Sequence, residues 1–502
     1  MMARRNEGSR MRASGALVTL LLLLLALGCA RRPVEVTLLS LNDFHGALGD
    51  GGIEPESGRP WGGGLALAAE VRAQRQLRPR RTFLLDAGDD WQGTPESNFS
   101  YGRSTVGYLE RLGVDAAAIG NHEFDWGIDT LRARLREMRF PMLAANVFEK
   151  NGGKPEWTRS HAVLERDGIK LGVIGFITPE TPRVTMPQNV ASLRFGPPEE
   201  QIDSLVALVR AEGADLVVLL CHIGAWHDST GAIRGPLADL AQRARGVDAI
   251  VGGHIHGYVA GEVAGIPVVT AGTKGRALGR IVLRWDGRRV LGAEAVWIPV
   301  HADSLPAAPD AAVAAFVDSV QRTTAPFVSR VCGRASRRLD EEALAAFIAS
   351  AMQERVGADV AVTNIGGVRT EFEAGAITEG DIFELVPFEN ILVTARLRGE
   401  DLAAFVASNP REARLAGARL GAGDELCDEA GRPLAREKEF LVVTNNFLAQ
   451  GGDGFQGFLA GRDLEWTEER VRDVVRDAIA ATAPADGFEP AMPALEPQPV
   501  GR

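Results

Sequence analysis

Short apolar runs that end in polar clusters recur along the first three hundred residues. Val34–Leu41, Thr82–Leu85, Ala116–Ile119, Leu171–Ile177, Leu216–Leu220 and Ala249–Val251 have the length and apolar character of buried strands. Between several of them, Leu65–Gln76, Thr130–Met138 and Pro198–Ala211 space their apolar residues as helices do. Alternating strands and helices predict a layered α/β domain. Each strand is followed almost at once by Asp, Asn or His, and ligands of such sheets collect where strand ends meet loops.

The pattern changes near residue 300. Ala307–Gln321 predicts a connecting helix. A second unit follows, with a helix at Glu341–Glu354, strands at Val360–Val362, Leu392–Leu397 and Phe440–Val443, and a glycine-rich turn at Gly451–Gly454. The expected organisation is a layered domain over 34–303, a linker helix within 304–330 and a smaller α+β domain over 331–482. A Pro- and Ala-rich tail over 483–502 is expected to be disordered.

The start of the chain differs from the rest. Arg4, Arg5, Arg10 and Arg12 precede a 14-residue stretch, Gly15–Gly28, that is apolar apart from Thr19. A basic flank and a short apolar core are the marks of an export signal over 1–29. The stretch is shorter than the ~20 residues of a spanning helix. Its end, Ala26-Leu27-Gly28-Cys29, resembles a bacterial lipoprotein cleavage box, with Ala26 and Leu27 standing where the common form has Leu and a small residue. The resemblance implies lipidation of Cys29, membrane anchoring, and a periplasmic or cell-surface location. Of the other cysteines, Cys221 sits in an apolar strand, and pairing of Cys332 with Cys427 is left open.

Composition narrows the partners. The 502 residues are 45% hydrophobic and 24% charged, with a net charge of −11. No basic face announces a nucleic acid polymer, and none is expected as a partner.

The polar residues at the strand ends form five clusters: Asn42-Asp43-Phe44-His45, Asp86-Ala87-Gly88-Asp89, Gly120-Asn121-His122-Glu123, Cys221-His222 and Gly253-His254-Ile255-His256. They hold five of the eight histidines. Carboxylate, carboxamide and imidazole together suit divalent ions such as Zn²⁺, Mn²⁺ or Co²⁺. In Asp43-x-His45 and His254-x-His256, residues two apart would face one side of an extended strand end.

In this order the clusters resemble the calcineurin-like metallophosphoesterases, and Gly120-Asn121-His122-Glu123-Phe124-Asp125 resembles the 5′-nucleotidase form of the motif. The resemblance extends to the C-terminal half. There Asn364-Ile365-Gly366-Gly367-Val368-Arg369 matches Asn-x-Gly-Gly-x-Arg, and Asn446-Phe447-Leu448-Ala449-Gln450-Gly451-Gly452-Asp453-Gly454-Phe455 matches Asn-Phe-Leu-Ala-x-Gly-Gly-Asp-Gly-Phe.

The fold so implied is a four-layer α/β metallophosphoesterase, a β-sandwich flanked by helices, with a smaller α+β substrate-binding domain. Two divalent ions are implied. Asp43, His45 and His256 would hold one, Asn121, His222 and His254 the other, and Asp86 would bridge them. Asp89 would orient ligands rather than bind. His122, fixed by Asp125, would serve the leaving oxygen. Arg369 would pair with phosphate or carboxylate, Phe447 stack on the base, Asp453 accept from ribose, and Asn364 support the base or the turn.

The implied reaction is hydrolysis of nucleoside 5′-monophosphates to nucleoside and phosphate. The alternatives are 2′,3′-cyclic nucleotide diesterase, nucleotide-sugar pyrophosphatase, a sulfur-ester hydrolase of the same superfamily and a non-catalytic nucleotide-binding lipoprotein. The family usually holds the base between two aromatics, the first lying between the two C-terminal segments. Here 400–439 holds only Phe405. The helix at Glu341–Glu354 also lacks the family's Gly-Asn pair. Rotation of the two domains about 303–330 is expected to gate turnover.

Overall fold

The computed structural model describes residues 33–421 and 425–482. The export signal, Cys29 and the tail over 483–502 lie outside the described residues.

Two six-stranded sheets face each other. The first runs in the order Val290–Pro299, Ala277–Trp285, Val34–Leu41, Thr82–Asp86, Ala116–Ala118, Met142–Leu143. The second runs Tyr258–Val263, Ile266–Ala271, Ala249–Val251, Leu216–His222, Ile169–Ile177, His161–Arg166. Central strands of both are parallel. Their side chains alternate between faces as the pleat requires. Val36, Leu38, Phe83, Leu85, Leu216, Val218 and Leu220 fill the space between the sheets. Leu39, Leu41 and Leu84 turn outward beneath helices Gly64–Leu77 and Arg103–Leu112. Val217, Leu219 and Cys221 do the same beneath Ile202–Ala211 and Pro236–Arg243. The result is the four-layer α/β arrangement expected.

A five-stranded sheet, ordered Ala413–Ala416, Val360–Asn364, Glu439–Asn445, Ile391–Arg398, Arg462–Arg470, forms the C-terminal part. Helices Glu341–Val356 and Val471–Thr482 contribute to the core on one of its faces, and Gly399–Ala407 to the core on the other. Buried core residues up to Val317 and from Ala335 onward fall into separate clusters.

The connecting helix departs from expectation. It spans Ala311–Val328, not 307–321. Pro309 disfavours helix at the residue before it, and the Asp310 side chain caps the start by accepting from Ala312 N at 2.8 Å. Val313 and Val317 anchor it on the first core. The stretch Pro198–Ala211 is likewise broken, into a short turn at Pro198–Glu200 and a helix at Ile202–Ala211. Cys332 and Cys427, left open as a pair, are both free thiols.

Candidate metal centre

Strand ends from both sheets deliver the polar clusters to one edge of the sandwich. The means differ from the expected strand pleat. Asp43, His45, Asp89, His254 and His256 all adopt left-handed backbone, with φ of 49°, 50°, 60°, 82° and 55°. Each non-glycine residue held there costs roughly 1–3 kcal/mol, and such strain gathers at functional sites. Tight turns, not an extended edge, aim these side chains inward.

Among the described residues, three sets of groups have ligand atoms within 4.8 Å of one another: Asp43 with His45 and His256, His45 with Asp89 and His122, and Asp89 with His222 and His254. Hydrogen bonds fix the rings. His45 Nδ1 lies 2.8 Å from the Gln92 carbonyl and His222 Nδ1 lies 2.8 Å from the Ala87 carbonyl, so each donates there. Their Nε2 atoms then present lone pairs. His45 Nε2 stands 3.1 Å from His256 Nε2. His222 Nε2 stands 2.9 Å from Asp89 Oδ2 and 3.2 Å from Asn121 Oδ1. With the rings neutral, as a metal requires, acceptors converge on acceptors, and among the described residues the buried Nδ1 of His254 has no partner. A divalent cation fits such a donor set.

Protonation divides the four rings: against burial, Asp89 draws His222 up to about 9, whereas the other three are held neutral. Burial, then neighbouring positive charge, holds His45 and His256 well below the usual imidazole range. Burial and His222 bring His254 down to about 3. Neutral rings are the form that binds metal.

Asp86 is not where the sequence reading put it. It closes the strand Thr82–Asp86, two residues from Leu84, so the pleat turns it toward the helix layer and Tyr108. Its Oδ1 accepts from Gly88 N at 3.1 Å, and it belongs to none of the three donor sets. Asp89, expected only to orient ligands, stands in two of them. Gly120 makes room for it: a Cβ there would lie 2.2 Å from Asp89 Oδ1. Glu123, quoted in the motif but given no role, accepts from the backbone N–H of Asp89, Asp90 and Gly120 at 3.0, 2.8 and 2.7 Å. It pins the turn that carries Asp89.

His122 Nδ1 lies 2.7 Å from Asp125 Oδ2, joined through the single 3₁₀ turn His122–Phe124. Burial opposes a charge on His122, but Asp125 and Asp89 outweigh it and raise its pKa. Its Nε2 is 3.9 Å from Asp89 Oδ2, so the ring reaches from the donor set toward the cleft.

The C-terminal sheet closes that cleft. Arg369 Nη2 reaches to 3.4 Å from His45 Nε2. Asn364 Nδ2 donates to Asp453 Oδ2 at 2.7 Å. Burial pushes the Asp453 carboxyl up to about 6. Phe447 packs over Gly452, where a Cβ would meet its ring at 2.4 Å. One cleft of about 800 Å³ is lined by Asp89, Asn121, His122, His254, His256, Asn364, Arg369, Phe447 and Asp453 together.

Phe388 escaped the sequence reading. It lines the cleft with its ring 5.9 Å from that of His122 and 6.0 Å from the Arg369 guanidinium. Its signal was present: an aromatic between Pro387 and Asn390, just before a strand. Phe405 is fully buried in the core, and the cleft wall in that stretch offers Asn409 and Glu412 instead of a second aromatic.

Comparison with known proteins comes to the same place. Residues 319–460 match the family model "5′-nucleotidase, C-terminal domain", and residues 82–269 match "Bacterial capsule synthesis protein PGA_cap". The 5′-nucleotidase of Vibrio vulnificus is 27% identical over 91% of this chain and 94% of its own length. Endonuclease YhcR of Bacillus subtilis is 26% identical over 74% of this chain, which spans only 32% of that relative. The crystal structure of a 5′-nucleotidase precursor from Thermus thermophilus superposes with a TM-score of 0.80 at 25% identity, covering 91% of this chain and 98% of that one.

Proposed function

Since the chain belongs to the 5′-nucleotidase family of phosphoric ester hydrolases, we propose that it hydrolyses nucleoside 5′-monophosphates to nucleoside and phosphate outside the cytoplasm. One observation carries the reading. A single cleft holds cation donors at one end and Arg369, Phe447 and Asp453 at the other.

Two divalent ions would suit the donors: Asp43, His45 and His256 would hold one, Asn121, His222 and His254 the other, and Asp89, in place of Asp86, would serve both. When bound, they would neutralise phosphoryl charge and acidify water. The remaining steps belong to side chains. Arg369 holds the phosphate with a planar two-pronged donor. Phe447 supports the base and Asp453 accepts from the ribose hydroxyls. His122, whose protonation Asp125 favours, donates from Nε2 toward the leaving oxygen. Phe388 walls this end of the cleft.

Phosphate release from AMP, UMP, 2′,3′-cyclic nucleotides, UDP-glucose and an aryl phosphate, with Mn²⁺ and after chelation, tests the reading. Chelation-sensitive release from AMP and UMP is expected. Cleavage of the diesters alone would move the assignment to the cyclic-nucleotide or nucleotide-sugar alternative, and failure on every substrate would overturn it. Metal analysis should return two ions per chain. Lipid on Cys29 would appear as acyl label lost in Cys29→Ala. Domain rotation would appear as lost turnover on crosslinking across the seam where Lys274 meets Glu384 at 3.2 Å and Asn98 meets the Pro387 carbonyl at 3.1 Å.

A further inference from the structure

We propose that Thr185 is a positioning residue for the His122–Asp125 pair, a role that rests on the reading of His122 as proton donor. Asp125 has two carboxylate oxygens to satisfy. Oδ2 faces His122 Nδ1 at 2.7 Å, and Oδ1 accepts from Thr185 Oγ1 at 2.9 Å. Thr185 is 2% exposed, and this is its one side-chain hydrogen bond among the described residues. A hydroxyl buried there and aimed only at Asp125 has no other evident work.

The carboxylate torsion of Asp is broad and two-fold, so one hydrogen bond alone holds its plane loosely. A second donor on the other oxygen fixes the plane and hence the direction of His122. Threonine suits the task because branching at Cβ stiffens χ1. The backbone is held too: Asn189 Nδ2 donates to the carbonyls of Phe124 and Asp125 at 3.0 and 2.8 Å. Thr185 and Asn189 come from one arm, the short helix Thr181–Val184 and the turn Pro187–Val190. That arm lines the cleft through Glu180, Arg183, Met186 and Gln188, and its helix packs against the turn Gly452–Gly454 that carries Asp453.

Thr185→Val keeps the shape and removes the hydroxyl. It should lower kcat for AMP about 10-fold, the low end for outer hydrogen-bond partners, while KM and bound metal stay unchanged. Thr185→Ser should restore most of the loss. A second readout needs no turnover. In metal-free, histidine-labelled protein, the downfield Nδ1 proton of His122, assigned by its absence in His122→Ala, should shift or broaden in Thr185→Val and return in Thr185→Ser. An unchanged resonance with kcat within two-fold of the parent overturns the proposal. So does an equal loss in Val and Ser variants, or a loss that follows metal release. If His122→Ala turns over normally, the proton-donor reading fails instead, and the resonance still reports whether Thr185 orders Asp125.

Discussion

The two ends of the cleft are built on different plans. At the cation end, Asp43, Asp89 and His222 are essentially fully buried, and five donors sit on left-handed turns. Almost every atom there is fixed from behind by a carbonyl, a backbone N–H or a glycine gap. At the C-terminal end, Arg369, Phe447, Asp453, Asn409 and Glu412 are half-buried, on short helical turns and loops with only Asp453 left-handed, and polar groups stand where an aromatic partner was expected. Preorganised charge tolerates no slack, whereas contact with the rest of a substrate can be traded piece by piece. Damage at the first end should therefore be large and shared by all substrates. Damage at the second, apart from Arg369 with its hold on the phosphate, should be modest and differ between them.

The hardest test of that contrast is the aspartate exchange. Asp89→Ala should release bound metal and lower kcat/KM by about a thousand-fold or more, since metal stabilisation carries several kcal/mol. Asp86→Asn should keep both the metal and activity within about 10-fold of the parent, as for a residue behind the ligands. The reverse ranking, by metal analysis and kinetics, would restore Asp86 as the bridge.

Next comes His122→Ala. It should lower kcat by about 10²–10⁴-fold, the range of general acid catalysis, with metal content intact. Metal loss would place His122 among the ligands, as its position beside His45 and Asp89 allows.

Phe447→Ala should raise KM for nucleotides about 10-fold, in keeping with stacking worth ~1–3 kcal/mol per base. It should leave hydrolysis of an aryl phosphate unchanged. An equal effect on both substrates would make Phe447 a packing residue.

The smallest effect concerns pH. The Asp453 carboxyl, raised to about 6 by burial, accepts from ribose only when ionised. KM for nucleotides should rise a few-fold as pH falls through about 6, and Asp453→Asn should flatten that dependence. The linkage sign is set by the raised value. Asp453 contributes stability below its unfolded pKa near 3.8, and that contribution is lost as pH rises through about 6. A profile unchanged in Asp453→Asn would sink the assignment.

Much of this was legible in the sequence. Short apolar runs located the strands, and the order of the clusters named the edge where donors meet. The aspartates were the failure. Asp86 and Asp89 stand three apart in one cluster, and only strand parity, with Leu84 facing the helices, tells which turns inward. The left-handed turns were hidden for a related reason: Asp and His, though enriched at positive φ among non-glycine residues, signal it far more weakly than glycine does. Thr185 and Asn189 lie some sixty residues from Asp125, at a distance along the chain that no local pattern bridges. Phe388 was visible, and it lies between the two C-terminal segments, but ahead of 400–439.

All the cation donors precede residue 257, while Asn364, Arg369, Phe388, Phe447 and Asp453 follow residue 363, and the two sets rest on separate hydrophobic cores. Innovation in what is cleaved can therefore proceed without touching how it is cleaved. Drift in the later half alters clientele and spares the reaction wherever Arg369 is kept. Lineages of such proteins should diversify by rewriting their last third while the earlier strand ends stay almost frozen.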